Sequence, residues 1–337
     1  MFLNDFSDSE LKILLESKEN EQELFKKADE VRQKHYGRDV YIRGLIELSN
    51  YCKNNCYYCG IRRDNIHIKR YRLDKSQILA CCKQGYELGF RTYVLQGGED
   101  AHYSDEAICE IISDIKSLYP DCAVSLSLGE KPYCSYKAYF DAGADRYLLR
   151  HETACTEHYK KLHPQSMSLG KRKQCLYDLK EIGYEVGTGF MVGSPFQTTE
   201  HLIKDLRFMQ ELQPDMIGIG PFLSHKDTPF SSYNNGDMYL CLRVLSISRL
   251  MFPNALIPAT TALATIAKNG RELGLSAGAN VVMPNLSPIN FRGLYKLYDN
   301  KVSLNEEAAE SLALLKGKVS SIGYDIVVDK GSVKKAF

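Results

Sequence analysis

The stretch Val40-Tyr-Ile-Arg-Gly-Leu-Ile-Glu-Leu-Ser-Asn-Tyr-Cys-Lys-Asn-Asn-Cys-Tyr-Tyr-Cys-Gly60 joins an apolar segment to a loop that contains three cysteines. The apolar residues predict a buried strand over 40–47, and the polar residues from Asn50 onward predict a loop after it. Reactive side chains directly after a strand are typical of α/β barrels, whose active sites lie at the carboxyl ends of the strands. This stretch therefore favours an α/β fold with a site built around the three cysteines.

On either side of this stretch, short apolar segments alternate with amphipathic segments of helical length. The predicted strands are 40–47, 92–96, 123–128, 146–149, 185–191, 216–219, 255–258 and 280–283. The predicted helices between them include 75–88, 104–118, 173–182 and 199–212. This alternation favours parallel βαβ units, and eight strands are the number that a closed (β/α)8 barrel of the TIM type requires. A partial barrel is the alternative, because the last predicted strands are short.

The chain divides into three predicted regions. Residues 1–39 form an N-terminal helical extension, with helices over 7–16 and 22–36. Residues 40–300 form the barrel, and residues 301–337 form a short C-terminal extension with a helix over 304–316.

Composition excludes several classes of partner. The chain has 337 residues and a formal net charge of +1, so bulk charge does not favour binding to nucleic acid or to a membrane surface. The sequence has no apolar run long enough to span a membrane, and its acidic and basic N-terminal segment does not resemble a signal peptide. We therefore expect a cytoplasmic protein.

The cysteines fall into two groups. Six of the eleven lie in apolar, periodic surroundings and are predicted to pack as small hydrophobic side chains: Cys81, Cys82, Cys109, Cys122, Cys175 and Cys241. Cys52, Cys56 and Cys59 have the spacing of metal ligands, and three thiolates can bind three irons of a [4Fe-4S] cluster. The alternatives are a redox pair and a zinc site, which normally needs four ligands and finds only His67 nearby.

The cysteine motif, with aromatic Tyr58 before its last cysteine, resembles the signature of the radical S-adenosylmethionine (SAM) superfamily. Further runs of sequence are similar to its biotin-synthase-like group and, within that group, to the HydE family of [FeFe]-hydrogenase maturases. These runs are residues 47–65, 95–100, 125–130, 145–154, 217–222, 257–262 and 280–285. The resemblance covers roughly residues 35 to 300.

The resemblance implies an enzyme with one [4Fe-4S] cluster, held by the three cysteines, that cleaves SAM reductively to a 5′-deoxyadenosyl radical. The implied SAM contacts are Tyr58 at the adenine, Gly97, Gly98 and Glu99 at the amino group, Glu152 at the ribose or amino group, Arg172 at the carboxylate, and Met216 at the adenosyl group. From the residues alone, three alternatives stay open. Glu152 could pair with Arg150, Arg172 could lie on a solvated basic face, and Met216 could be an ordinary core residue.

The resemblance also implies a substrate and partners. The implied substrate is a mononuclear iron complex that carries carbon monoxide, cyanide and cysteine, delivered by a tyrosine-cleaving partner maturase, and a reductant supplies electrons. The candidate substrate contacts are Arg150, His151, Thr260, Thr261, Tyr295 and Tyr298.

Two other functions remain open at this point. One is a related radical SAM enzyme that acts on a small amino-acid substrate, in the manner of methylornithine synthase or biotin synthase. The biotin route needs a second cluster with its own ligands in the barrel, and the sequence shows no second cysteine-rich motif; a C-terminal auxiliary cluster is also not expected, because no cysteine follows Cys241. The other is a non-catalytic iron–sulfur carrier, which would have no use for a SAM pocket.

Overall fold

The computed structural model describes residues 6–302 and 308–334. Its strands are β1 (Asp39–Ile42), β2 (Gly44–Ser49), β3 (Thr92–Gly97), β4 (Ala123–Ser127), β5 (Arg146–Leu148), β6 (Glu185–Thr188), β7 (Met191–Val192), β8 (Met216–Ile217), β9 (Gly220–Pro221), β10 (Val281–Val282) and β11 (Asp325–Val327). Its helices are α1 (Asp8–Glu16), α2 (Glu21–Tyr36), α3 (Lys75–Glu87), α4 (Asp105–Leu118), α5 (Tyr133–Asp141), α6 (Thr156–Leu162), α7 (Leu169–Ile182), α8 (Thr199–Leu212), α9 (Met238–Met251), α10 (Thr261–Ile266), α11 (Gly270–Ser276), α12 (Ile289–Arg292) and α13 (Ala308–Ser321).

The strands form a closed parallel ring. Six of them pair in the order β2-β3-β4-β5-β6-β8, and β10 pairs with β1. Residues 255–258 occupy the seventh position through single bridges, Met216 to Leu256 on one side and Pro258 to Val281 on the other. The predicted (β/α)8 barrel is therefore confirmed, with strand seven reduced to isolated bridges.

The first predicted strand is in fact two strands that separate at Arg43. β1 lies between β10 and the C-terminal β11, whereas β2 pairs with β3. β11 is an addition that the sequence analysis did not predict. The predicted C-terminal helix is observed over Ala308–Ser321, and the first part of the prediction, 304–307, lies outside the described residues.

The outer helices begin and end at local signals in the sequence. In α4, Ile108, Ile111, Ile112 and Ile115 are buried at helical spacing, and the Ser104 hydroxyl accepts a hydrogen bond from the third residue of the helix. The predicted helix over 199–212 is observed with these bounds. These helices bury their apolar faces against the ring and leave the carboxyl ends of the strands open at one edge.

The cysteines outside the motif behave largely as predicted. Five of the six packing candidates are buried, Cys109 is half-buried, and all eleven cysteines are free thiols. None of the described helices is long and apolar enough to cross a bilayer.

Candidate active site

A cavity of about 290 Å³ opens at the carboxyl ends of the strands. Its volume is near the lower end of the range for small-molecule sites. The structure brings thirteen of the predicted site residues to its wall: Cys52, Cys56, Cys59, Tyr58, Gly97, Gly98, Glu99, Arg150, Glu152, Arg172, Thr260, Tyr295 and Tyr298. Residues that the sequence analysis placed on separate strand ends therefore share one space.

The loop that carries the cysteines is held by close backbone contacts at both ends. At Gly98, a Cβ atom would lie 2.1 Å from the Tyr51 carbonyl oxygen, and at Gly60 it would lie 2.2 Å from the Lys296 carbonyl oxygen. Only glycine allows backbone segments to approach this closely. Arg70 fixes the middle of the loop, because its guanidinium donates hydrogen bonds to loop carbonyl groups, including that of Ile61 at 2.9 Å.

The three motif thiols are half-buried and face the same cavity. Burial raises the pKa of all three, that of Cys59 to about 12, so thiolates here need compensating positive charge. Among the described residues, no three His, Cys, Asp or Glu side chains are arranged to hold a single metal ion. Three thiols on one wall are the donor set of a [4Fe-4S] cluster, in which each thiolate binds a separate iron.

Tyr58 is fixed in the cavity wall by a buried histidine. His163 Nδ1 lies 3.1 Å from the Tyr159 carbonyl oxygen, which can only accept, so Nδ1 carries the proton. Burial lowers the pKa of His163 to about 3, and the ring is neutral. Nε2 is then an acceptor, and the Tyr58 hydroxyl, 3.1 Å away, donates to it. The hydroxyl is thus engaged and the ring is held beside the cysteines.

Glu99 links the cysteine loop to the ends of β3 and β4. Its carboxylate lies 3.1 Å from Lys53 Nζ and accepts a hydrogen bond of 3.0 Å from the Glu130 backbone N–H. Gly129 has φ +76°, and a Cβ atom there would lie 2.1 Å from Glu99 Cγ. This glycine supplies both the left-handed turn and the space for the buried carboxylate.

Arg150 and Glu152 follow β5 and both line the cavity. Arg150 Nη2 lies 3.0 Å from Glu152 Oε2, so the ion pair that the sequence analysis left open as an alternative is present. Both side chains also face the cavity, and the pair does not exclude contact with a ligand. Glu152 has φ +64°, an uncommon conformation for a residue with a side chain that concentrates at functional sites.

Arg172 lies inside the protein, not on a solvated helix face. The helix begins four residues earlier than predicted, at Leu169, with the Ser168 hydroxyl capping it. Arg172 is buried, and its Nε lies 3.1 Å from Glu130 Oε1. Its neighbour Lys171 is exposed. The alternative of a basic surface therefore applies to Lys171 and not to Arg172.

The opposite wall carries neutral hydroxyl groups. The Thr260 hydroxyl is buried and has no hydrogen-bond partner among the described residues. The Tyr295 hydroxyl accepts from Gln96 Nε2 at 3.3 Å, and burial raises the pKa of Tyr298 to about 12. Lys301 anchors this wall by pairing with the buried Glu47 carboxylate and donating to the Tyr295 carbonyl oxygen at 3.1 Å.

Met216 does not lie where it was predicted. It begins β8, deep in the barrel, and lines a separate small cavity with Arg43, whose Nη1 lies 2.8 Å from its sulfur. The cavity at the carboxyl ends is reached four residues later, by Gly220 and Pro221. The structure therefore supports the alternative, a core methionine.

Two predicted substrate contacts also face away from the cavity. His151 is fully buried and points towards α8, because it alternates with Arg150 and Glu152, which face the cavity. Thr261 begins helix α10, which the sequence analysis missed, and the cavity wall is formed by its neighbours Thr260 and Ala262.

Several wall residues were not predicted as site residues. Gln96, Ser127 and Gly129 follow or end predicted strands, so their position at strand ends was a usable signal. Glu130, the partner of Arg172, belongs to the same group. Met191 ends the predicted strand 185–191 and begins β7, so it had the same signal, whereas Leu223 lies on an irregular segment and had none.

Three comparisons define the class to which this barrel and its cysteine loop belong. A profile of the radical SAM superfamily matches residues 46–209. The chain belongs to the radical SAM superfamily and is a radical SAM enzyme.

Individual relatives narrow this class. The chain is 45% identical over 314 residues to the [FeFe] hydrogenase maturase subunit HydE of Thermotoga maritima, covering 93% of this chain and 89% of the relative. It is 33% identical over 288 residues to 3-methylornithine synthase of Methanosarcina barkeri, covering 84% and 80% of the two chains. A crystal structure of methylornithine synthase superposes with a TM-score of 0.82 at 29% identity, covering 95% of this chain and 94% of the other.

Proposed function

We propose that this protein is a maturase of [FeFe]-hydrogenase that cleaves SAM reductively and acts on a small substrate in the barrel. The observation that carries the proposal is the single cavity in which three free thiols, two ion pairs and a set of neutral hydroxyl groups converge. The 45% identity to HydE over 93% of the chain supports the maturase role over other members of the superfamily.

The cofactor residues follow from the chemistry of the cysteine side of this cavity. Cys52, Cys56 and Cys59 would hold a [4Fe-4S] cluster, which supplies, when bound, the electron that breaks a carbon–sulfur bond of SAM. The carboxylates of Glu99 and Glu152 are acceptors for the amino and ribose groups of SAM.

Arg172 and Tyr58 complete the proposed SAM pocket. Arg172 presents a buried guanidinium, whose geometry suits a carboxylate. Tyr58 offers a ring face to the adenine, held by its hydrogen bond to His163. Gly97 and Gly98 are the proposed backbone contacts of the amino group, and Gly98 also lets the Tyr51 carbonyl group approach this part of the wall.

The substrate that we propose is a mononuclear iron complex with carbon monoxide, cyanide and cysteine ligands. Arg150 and the hydroxyl groups of Thr260, Tyr295 and Tyr298 supply one positive charge and several hydrogen-bond donors to a compact anionic ligand. The proposed partners are the other hydrogenase maturases, one of which delivers the complex, and a reductant in the cytoplasm.

Cell-free maturation tests this proposal. Apo-hydrogenase is incubated with the partner maturases, SAM, dithionite and the reconstituted protein in place of HydE, and hydrogen evolution is measured. We expect active hydrogenase and release of 5′-deoxyadenosine. Release of 5′-deoxyadenosine without active hydrogenase would overturn the maturase role and leave the radical SAM enzyme.

A second candidate is a mutase that acts on a free amino acid. Its support is the TM-score of 0.82 with methylornithine synthase. The same hydroxyl groups and Arg150 suit an amino acid as well as an anionic complex. Incubation with lysine, SAM and dithionite, followed by mass spectrometry for an isomer of lysine, separates the two candidates.

A further inference from the structure

A buried histidine–aspartate pair lies directly behind the proposed SAM pocket. His151 follows β5 and Asp205 belongs to α8, and both side chains are fully buried. His151 Nε2 lies 3.4 Å from Asp205 Oδ1, and the imidazole ring packs between Phe190 and Phe208. Neither side chain lines the cavity, so the reaction makes no direct use of them.

The hydrogen bonds of Thr188 determine which ring nitrogen carries the proton. The Thr188 hydroxyl has one hydrogen and donates it to the Leu149 carbonyl oxygen at 3.2 Å. The same hydroxyl lies 2.8 Å from His151 Nδ1 and must accept there, so Nδ1 is protonated. In a neutral ring, Nε2 then carries a lone pair that is directed towards Asp205.

No other described group gives Nε2 a hydrogen bond, so a proton on Asp205 Oδ1, 3.4 Å away, is what could satisfy its buried lone pair. Burial lowers the pKa of His151 to about 3 and raises the pKa of Asp205 well above its ordinary value. Both shifts place the shared proton on Asp205, which then donates to a neutral imidazole.

Asp205 also holds the backbone beside Glu152. Its Oδ1 accepts a hydrogen bond from the Ala154 backbone N–H. On the other side of Glu152, His151 is held by its contact with Asp205. The Glu152 N–H itself donates to the Gly189 carbonyl oxygen at 3.1 Å. The residue between these contacts is the one with φ +64°, and such a conformation persists only where its surroundings enforce it.

We propose that Asp205 is a positioning residue of the SAM pocket, which holds Glu152 in its left-handed conformation through a proton shared with His151 and a hydrogen bond from Ala154. This inference rests on the proposed role of Glu152 as a SAM contact. The pair sets the direction in which the Glu152 carboxylate faces the cavity, and it does so without touching the ligand.

A double-mutant cycle on SAM affinity tests the inference. Asp205→Asn keeps the volume, but at the position of Oδ1 its amide presents either an oxygen to the Ala154 N–H or an N–H to His151 Nε2, and not both. With the reconstituted protein, we expect Asp205→Asn to raise the Kd for SAM about tenfold. In a Glu152→Ala background, the same substitution should change the Kd by less than about twofold, because Asp205 acts through Glu152. Asp141→Asn, at an exposed carboxylate on α5, is the matched control and should leave the Kd unchanged.

Each result of the cycle has a distinct meaning. Independent, multiplying effects of Asp205→Asn and Glu152→Ala would overturn the inference alone. An unchanged Kd in Glu152→Ala would overturn the proposed role of Glu152, and the inference with it. An unchanged Kd in Asp205→Asn, with a raised Kd in Glu152→Ala, would again overturn only the inference.

A further pair of variants separates positioning from simple packing. Asp205→Leu leaves His151 with an unpaired polar atom, whereas the double variant His151→Phe/Asp205→Leu removes both polar groups. We expect the double variant to recover thermal stability relative to Asp205→Leu and to keep the weakened SAM affinity. Recovery of SAM affinity together with stability would assign the pair a purely structural role.

Discussion

The two walls of the cavity differ in whether their polar groups are charged and paired. On the cysteine side, three pairs of opposite charge lie at 3.0 to 3.1 Å, Lys53–Glu99, Arg150–Glu152 and Arg172–Glu130, and the contacting atoms of the last two pairs do not reach hydrogen-bond geometry. On the tyrosine side, formed by Thr260, Tyr295 and Tyr298, the groups are neutral, and the Thr260 hydroxyl is buried without a partner among the described residues.

This difference has consequences for both binding and mutation. Paired buried charges are held in place before a ligand arrives. Removal of one partner leaves the other buried without a compensating charge, which lowers the stability of the protein strongly. A neutral hydroxyl without a partner loses little when it is removed from the free protein, and its contribution is realised only with a ligand present. We therefore expect large effects on the cysteine side and small, ligand-specific effects on the tyrosine side.

The largest effect is expected at the cysteines. Replacement of Cys52, Cys56 and Cys59 by alanine should reduce the iron content after anaerobic reconstitution from about four per chain to near zero, because these thiolates are the only protein ligands of the proposed cluster. Iron and sulfide assays measure this, and Cys134→Ala, at an exposed thiol, is the control. A full cluster in the triple variant would contradict the assignment of these cysteines as its ligands, and with it the contrast between the two walls.

The next effect is expected at the buried ion pair. Arg172→Met leaves the buried Glu130 with only the longer contact to exposed Lys171, whose Nζ lies 4.0 Å away, so the free energy of unfolding should fall by about 3 kcal/mol and SAM binding should be lost. Chemical denaturation and equilibrium binding measure the two quantities. Lys171→Met, at the exposed neighbour with the longer contact to Glu130, should have much smaller effects, and equal effects of the two variants would contradict the buried pair.

A smaller and more selective effect is expected on the tyrosine side. Thr260→Val removes a hydroxyl at nearly constant volume, so hydrogenase maturation should fall by about tenfold while SAM affinity and stability change little. Thr261→Val is the matched control, because its side chain lies outside the cavity wall. If Thr261→Val impairs maturation as much as Thr260→Val, the assignment of this wall is wrong.

The smallest effect is expected at Met216. Met216→Leu conserves volume in a buried site, so stability should change by less than about 1.5 kcal/mol. SAM affinity should stay within about twofold of wild type, because the side chain lies outside the cavity. A large loss of SAM affinity in this variant would restore the adenosyl contact that the sequence predicted.

The parts of this site that sequence reasoning located are those with local signals. The cysteine spacing, the glycines after β3 and the polar residues after β5 all lie within a few residues of a predicted strand end. A parallel barrel brings strand ends together at one edge, so the convergence of these residues follows from the fold.

The errors have equally local causes. His151 was grouped with its neighbours, although side-chain alternation after a strand already places it on the opposite face from Arg150. Thr261 was misplaced because the short helix α10 has no strong start signal, and its capping residue Thr260 makes no side-chain capping bond. Met216 was assigned to the cavity although it opens its predicted strand, 216–219, and the carboxyl end of a parallel strand is the end that reaches the cavity.

One feature of the tyrosine side limits how ligands reach the interior. The segment that carries Tyr295 and Tyr298 is tied to the cysteine loop, because the Gly60 N–H donates to the Leu297 carbonyl oxygen at 2.8 Å and Asn50 Nδ2 donates to the Leu294 carbonyl oxygen at 2.8 Å. Swinging this segment outward would break both bonds and loosen the loop that bears the thiols. Exchange of substrate past this segment would therefore disturb the three thiols, whereas a passage elsewhere along the rim would leave their loop in place during turnover.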